Sequence, residues 1–87
     1  MNSLKIQKCT RNCNATGCEL PNGGFIVFKG SVIASLETPS CPNWVKRIRL
    51  KLNLKQNVLQ EHTVFNSISA ASSAVSGSSS NGNDDWS

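Results

Sequence analysis

The sequence predicts an α+β fold, a small antiparallel or mixed sheet carrying two helices, and three observations predict it. Phe25-Ile26-Val27-Phe28-Lys29 is a β-branched and aromatic run held between Gly24 and Gly30, the mark of a buried central strand over residues 25–29. Residues 44–54 place apolar side chains at spacings that suit either a helix or a strand. Residues 67–77 carry the start and stop residues of a short helix inside a serine-rich stretch. The residues alone decide the first of these and leave the other two open.

The chain has 87 residues, 38% of them hydrophobic, 16% charged and 6% aromatic. A chain this short buries only about 60–65% of its unfolded surface, which allows a single domain over residues 1–87 with a thin core. That size excludes a multi-domain enzyme. Nine Lys and Arg against five Asp and Glu leave a net charge of +4, a mild excess that favours acidic partners. Residues 1–10 hold two basic residues but no apolar run of signal-peptide length, and no stretch has the apolar length of a membrane span. The expectation is a soluble, cytoplasmic protein with no membrane partner.

Along the chain, Leu4, Ile6 and Lys8 alternate weakly, predicting a short strand, then an irregular segment, then a tight turn at Pro21-Asn22-Gly23-Gly24. The central strand follows, and Ser31-Val32-Ile33-Ala34 continues beyond it. Pro39 and Pro42 break the chain, with Ser40 as a helix-start residue between them.

In residues 44–54, Ile48, Leu50, Leu52 and Leu54 alternate with Arg47, Arg49, Lys51 and Asn53, the period of a strand. Yet Val45, Ile48 and Leu52 fall on one helical face, and Leu, Lys, Arg and Gln are good helix formers. Periodicity alone tilts toward strand; on the helical reading, Asn57 suits the left-handed residue after the helix. Residues 67–80 contain eight serines in fourteen positions, and composition alone favours a flexible tail. Against it, Ile68, Ala71 and Val75 recur at i, i+3 and i+7, with Ser67 as N-cap and Gly77 as stop.

Cys9, Cys13, Cys18 and Cys41 admit three readings: two disulfides, a four-thiolate zinc site, or free thiols. The spacings lack paired C-x2-C knuckles and the expected compartment is reducing, so free or packed thiols are expected and no metal or other cofactor.

Two stretches together resemble a known family. Gly24-Phe25-Ile26-Val27-Phe28-Lys29-Gly30-Ser31 resembles G-F-V-V-L-K-G-S; Phe65-x-Ser67-x-Ser69-Ala70-Ala71, then Gly77-x-Ser79-x-Asn81-Gly82 and Trp86, resembles F-S-S-P-S-A-A-A, G-x-S-x-N-G and a terminal tryptophan. Both signatures belong to a domain of unknown function often found at the C-terminus of GIY-YIG nuclease-family proteins, related to the domain associated with restriction-system adenine methylases. Between them, Glu37-Thr38-Pro39-Ser40 resembles the link into the family's helix, and Arg49-x-x-Leu52 its R-x-x-L. The resemblance covers about residues 14–86, leaving 1–13 as an N-terminal strand or extension. It implies a helix over residues 42–56, a second over 67–76, and a turn at Asn81-Gly82 that sets Trp86 against the core. Three features depart from the pattern: Ile68 stands at the usual proline, Cys18 at a usual aromatic, and residues 57–63 are shorter than the usual hairpin.

For chemistry, His62 is the single histidine and lies beside Glu61 in a polar loop, where a solvated role is expected. Nothing in the spacing of Glu19, Glu37, Asp84 and Asp85 argues for paired carboxylates, so catalysis is not expected. Lys46, Arg47, Arg49, Lys51 and Lys55 lie within twelve residues that contain no acid. On a helix Arg47, Lys51 and Lys55 form one stripe, while on a strand Arg47, Arg49, Lys51 and Lys55 share a face; either arrangement is able to neutralise phosphates or is simply a solvated face. Lys29, Ser69 and Asn81 match the signatures and would form a site for a phosphate or a base edge if they converge; otherwise they satisfy local backbone groups and cover a sheet edge. The expected function is a non-catalytic accessory module that binds nucleic acid, chiefly DNA, of the type attached to nucleases or DNA-modification systems. The alternative is a module that docks onto a nuclease or other protein through apolar surface such as Leu50 and Leu54.

Overall fold

The computed structural model describes residues 4–9, 13–78 and 86. Among them the elements in chain order are β1 (Lys5–Cys9), β2 (Cys13–Glu19), β3 (Phe25–Val27), α1 (Asn43–Leu50), β4 (Leu54–Lys55), β5 (Val58–Leu59), β6 (Thr63–Phe65) and α2 (Ile68–Ser76). An antiparallel sheet runs in the order β1-β2-β3-β6, and β4 and β5 form a separate hairpin. Two helices and a small antiparallel sheet meet the α+β expectation.

The segment expected to be irregular, 13–19, is instead a strand. Its inward positions are Cys13, Ala15 and Gly17, and its outward ones are polar. Small inward residues hide the strand from a propensity reading, but they let α2 pack closely on this face. At Gly17 the space is already filled: a Cβ there would stand 2.3 Å from the Ile26 carbonyl oxygen and 2.5 Å from Phe25 Cε1. Phe25 and Val27 of β3 point into the core as expected, although the strand ends two residues early, where Phe28 donates its N–H to the Thr16 carbonyl at 2.9 Å. The following segment is held on both sides: Val32 bridges Asn14 and Val58.

The ambiguity of residues 44–54 resolves into both alternatives in succession. α1 occupies Asn43–Leu50, Lys51 caps it at φ −90° and ψ −8°, and the chain is extended again at β4. The helix is therefore shorter than the 42–56 that the family resemblance implies. Pro42, not Ser40, is the N-cap, and it makes no side-chain capping bond. Gln56 and Asn57 have φ of 52° and 66°. Two successive left-handed residues form the tight turn that suits a two-residue hairpin, so Asn57 takes the expected conformation in a hairpin and does not end a helix.

α2 overturns the reading of 67–80 as a flexible tail for its described part. Ser67 Oγ accepts the Ala70 N–H at 3.1 Å, and Gly77, at φ 74°, donates its N–H to the Ser73 carbonyl. Ala71, Ser72, Ser73, Ala74, Val75 and Ser76 are all buried. Small side chains at Ala71, Ser72, Ser73, Ala74 and Ser76 let the helix sit among the sheet, α1 and Trp86. Trp86, 3% exposed, meets Phe25 with ring centroids 4.5 Å apart, as the resemblance implies. The Asn81-Gly82 turn lies outside the described residues.

Gly17→Ala is expected to cost about 2 kcal/mol by overpacking, lowering the thermal midpoint by about 8–16 °C. Trp86→Ala is expected to cost about 3–5 kcal/mol. Circular-dichroism melts of both variants check these values, and a wild-type melt for either contradicts the packing described.

Candidate nucleic-acid interface

The inward flank of α1 carries Val45, Ile48 and Arg49. Arg49 is 9% exposed at its side chain. Its guanidinium donates to the carbonyls of Ala34 and Ala74, and Nε lies 3.3 Å from Glu37 Oε2. The Ala74 carbonyl belongs to the last turn of α2, where carbonyls lack helical partners and the helix dipole is negative. Arg49 thus joins α1, α2 and the 34–37 segment. Counted by sequence among the phosphate-binding residues, it is turned inward, with its donors committed to the fold.

The other basic residues expected to meet phosphates are exposed: Lys46 and Arg47 on α1, Lys51 at its cap, Lys55 in β4 and Lys29 after β3. The i, i+4, i+8 stripe does not form, because the helix ends before Lys55. Arg47 and Lys51 keep the helical spacing, and Lys46 flanks them. Among the described residues none of these has an ion-pair partner, whereas Lys5 pairs with Glu19 at 3.1 Å and Glu37 with Arg49. Apart from Arg49, the acid-free window therefore presents cations with no ion-pair partner among the described residues.

Lys29, Ser69 and Asn81 are not brought together among the described residues. The β3–β6 register sets Val27 opposite Thr63 and Phe25 opposite Phe65, so Lys29 leaves this ladder at one end and Ser69 follows it at the other. Asn81 lies outside the described residues. Ser31, from the same signature, is structural: it is buried, and its Oγ accepts the Thr16 N–H at 3.1 Å. His62 is exposed but not merely solvated, since Nδ1 accepts the Lys29 N–H at 3.0 Å and the ring meets Phe28 edge-on at 5.4 Å.

The cysteines also depart from the free-thiol expectation. Cys13 is disulfide-bonded, while Cys18 and Cys41 are free. The antiparallel register sets residues 9 and 13 opposite each other, a proximity that counting spacings along the chain does not show. No group of three or more His, Cys, Asp or Glu arranged to hold a metal occurs among the described residues.

Two features of the surface were not anticipated from sequence. Trp44 is 42% exposed, and it falls with Ile48 and Lys51 at i, i+4 and i+7 on one side of α1. That side borders a cleft of about 340 Å³, lined by Ile48, Lys51 and Leu52, by residues 63–66 and by Ala70. Trp44 was legible as a surface aromatic only once the segment was known to be helical. Thr63 and Asn66 carried no signal, because the cleft arises from the approach of α1 to β6.

The chain belongs to the family described as Domain of unknown function (DUF4357), whose model matches residues 4–87. The match takes in β1, which lies in residues 1–13, left by the resemblance noted above as an N-terminal strand or extension. No curated protein and no solved structure matches the chain. Phe25, Ser31, Arg49, Ser67, Gly77 and Trp86, which lie in the stretches that carry the resemblance, build the fold. No helix of the described residues is long and apolar enough to cross a membrane.

Arg49→Met is expected to destabilise the domain by on the order of 3 kcal/mol, because Glu37 and two carbonyls lose their partner. Arg49→Lys should recover less than half of this, since a single ammonium cannot present the planar fork. Urea denaturation measures both; full rescue by lysine contradicts the bidentate role.

Proposed function

We propose that the domain is a non-catalytic accessory module that binds nucleic acid through α1 and its cap, of the kind attached to nucleases or DNA-modification systems. The observation that carries this reading is the exposed set Lys46, Arg47 and Lys51, uncompensated among the described residues and lying beside exposed Trp44. Cations there neutralise phosphates and release counterions, and an adjacent indole offers a stacking surface for bases. Lys55 extends the charge along the neighbouring hairpin. Arg49 has no part in the contact.

Charge reversal tests the reading. With Arg47→Glu and Lys51→Glu together, affinity for DNA should fall, and the slope of log K against log salt should shrink by about 2. Wild-type affinity that ignores both salt and the substitutions overturns it.

A protein-docking reading is favoured by Leu50, which is 85% exposed at the C-terminal end of α1. Leu54 does not contribute, being half-buried against the core. This version predicts that Leu50→Asn abolishes capture of a protein partner while leaving DNA affinity unchanged, and pull-down alongside a DNA titration separates the two.

A further inference from the structure

We propose that the cleft between α1 and β6 receives one unstacked base of a single-stranded nucleic acid, so that the ligand is a single strand in preference to a duplex. This rests on the nucleic-acid reading and specifies its substrate class. The cleft, at about 340 Å³, lies at the small end of the range of about 300–1,000 Å³ for small-molecule sites. That size suits a base with part of its sugar. Its walls are apolar at Ile48, Leu52 and Phe65, which suits the faces of an aromatic ring.

Polar groups stand where an edge of the base would meet them. The Asn66 amide is exposed and makes no hydrogen bond among the described residues, so it has both a donor and an acceptor to offer. Thr63 Oγ1 donates to the Glu61 carbonyl at 3.2 Å, and its lone pairs remain to accept. Lys51 lines the same cleft, with Arg47 one turn before it, and supplies charge for the flanking phosphates. Trp44, one turn before Ile48, extends the wall outward as a platform for the next base.

A duplex fits this surface less well. Its major groove admits a helix whose outward residues read base edges by hydrogen bonding, yet α1 has only eight residues and ends in exposed Leu50, which has no hydrogen-bonding side chain. Thr63 and Asn66, which can read a base edge, line the concave cleft, which a base still stacked and paired does not enter.

The experiment is a fluorescence-anisotropy titration of the full chain with a labelled oligonucleotide, as a single strand and as its duplex, together with an acidic peptide of similar charge. Wild type, Asn66→Ala and Ala70→Leu, which enlarges a side chain lining the cleft, are compared, with melts to establish that each variant is folded. The single strand should bind about tenfold more tightly than the duplex, Asn66→Ala and Ala70→Leu should both remove most of that difference, and Trp44 emission should be quenched. Duplex binding equal to or tighter than single-strand binding overturns the proposal while leaving the nucleic-acid reading intact. A single-strand preference that survives Asn66→Ala, whose exposed side chain is not needed for folding, also overturns it. Binding of the peptide with neither nucleic acid bound overturns both readings.

Discussion

One guanidinium holds the two helices of this domain in register. Arg49 leaves α1 on its buried side and ends between the carbonyls of Ala34 and Ala74, with the Glu37 carboxylate against Nε. A mostly buried cation is costly unless its hydrogen-bonding capacity is used and a counter-charge is near, and both conditions hold here. The neighbouring backbone is consistent with this anchor: Ala34 and Thr38 donate their N–H groups to the carbonyls of Val75 and Gly77. A Cβ on Gly77 would stand 2.9 Å from the Leu36 carbonyl oxygen, so this close approach requires glycine. The placement of α1, and with it the cleft and the basic surface, follows from this junction.

Small residues solve the problem of the thin core. With few large hydrophobic side chains, the chain obtains close contact by bringing backbones together. Gly17 yields its side-chain volume to the Phe25 ring, and α2 presents serine and alanine in nearly every direction. Buried hydroxyls in a helix can bond to backbone carbonyls of the preceding turn, as Ser76 does to the Ser73 carbonyl at 3.5 Å. Trp86 then adds its indole to the aromatic bulk that Phe25 and Phe65 bring to the core.

The parts legible in sequence were those governed by local rules. Ser67 and Gly77 bracket α2 by capping chemistry, Gly24 and Gly30 bracket the central strand region, and Pro21-Asn22-Gly23-Gly24 makes a turn in which Gly23 takes φ 88°. What was hidden depended on partners distant in the chain. β2 reads as polar and irregular because its inward residues answer to α2, about sixty positions away. The inward turn of Arg49 depends on carbonyls that only the tertiary fold brings near. For the candidate site, the concentration of charge in residues 46–55 was visible, but its division into exposed Lys46, Arg47 and Lys51 and interior Arg49 was not. Alternation also misled: Leu50 and Leu54 look equivalent by period, yet the helix ends between them, leaving one in solvent and the other against the core.

The order β1-β2-β3-β6 has a consequence for how the chain reaches this structure. Pairing β3 with β6 encloses α1 and the β4–β5 hairpin within a single loop, so the central sheet is complete only after a long excursion has been brought back to its start. The entropy of closing that loop is lost before any contact across it forms, and topologies rich in such distant pairings fold in milliseconds or longer rather than microseconds. The β1–β2 and β4–β5 hairpins, joined by short connections, can form early. The β3–β6 pairing and the Arg49 junction are then late, cooperative events, and the cleft between α1 and β6 comes into being only with them.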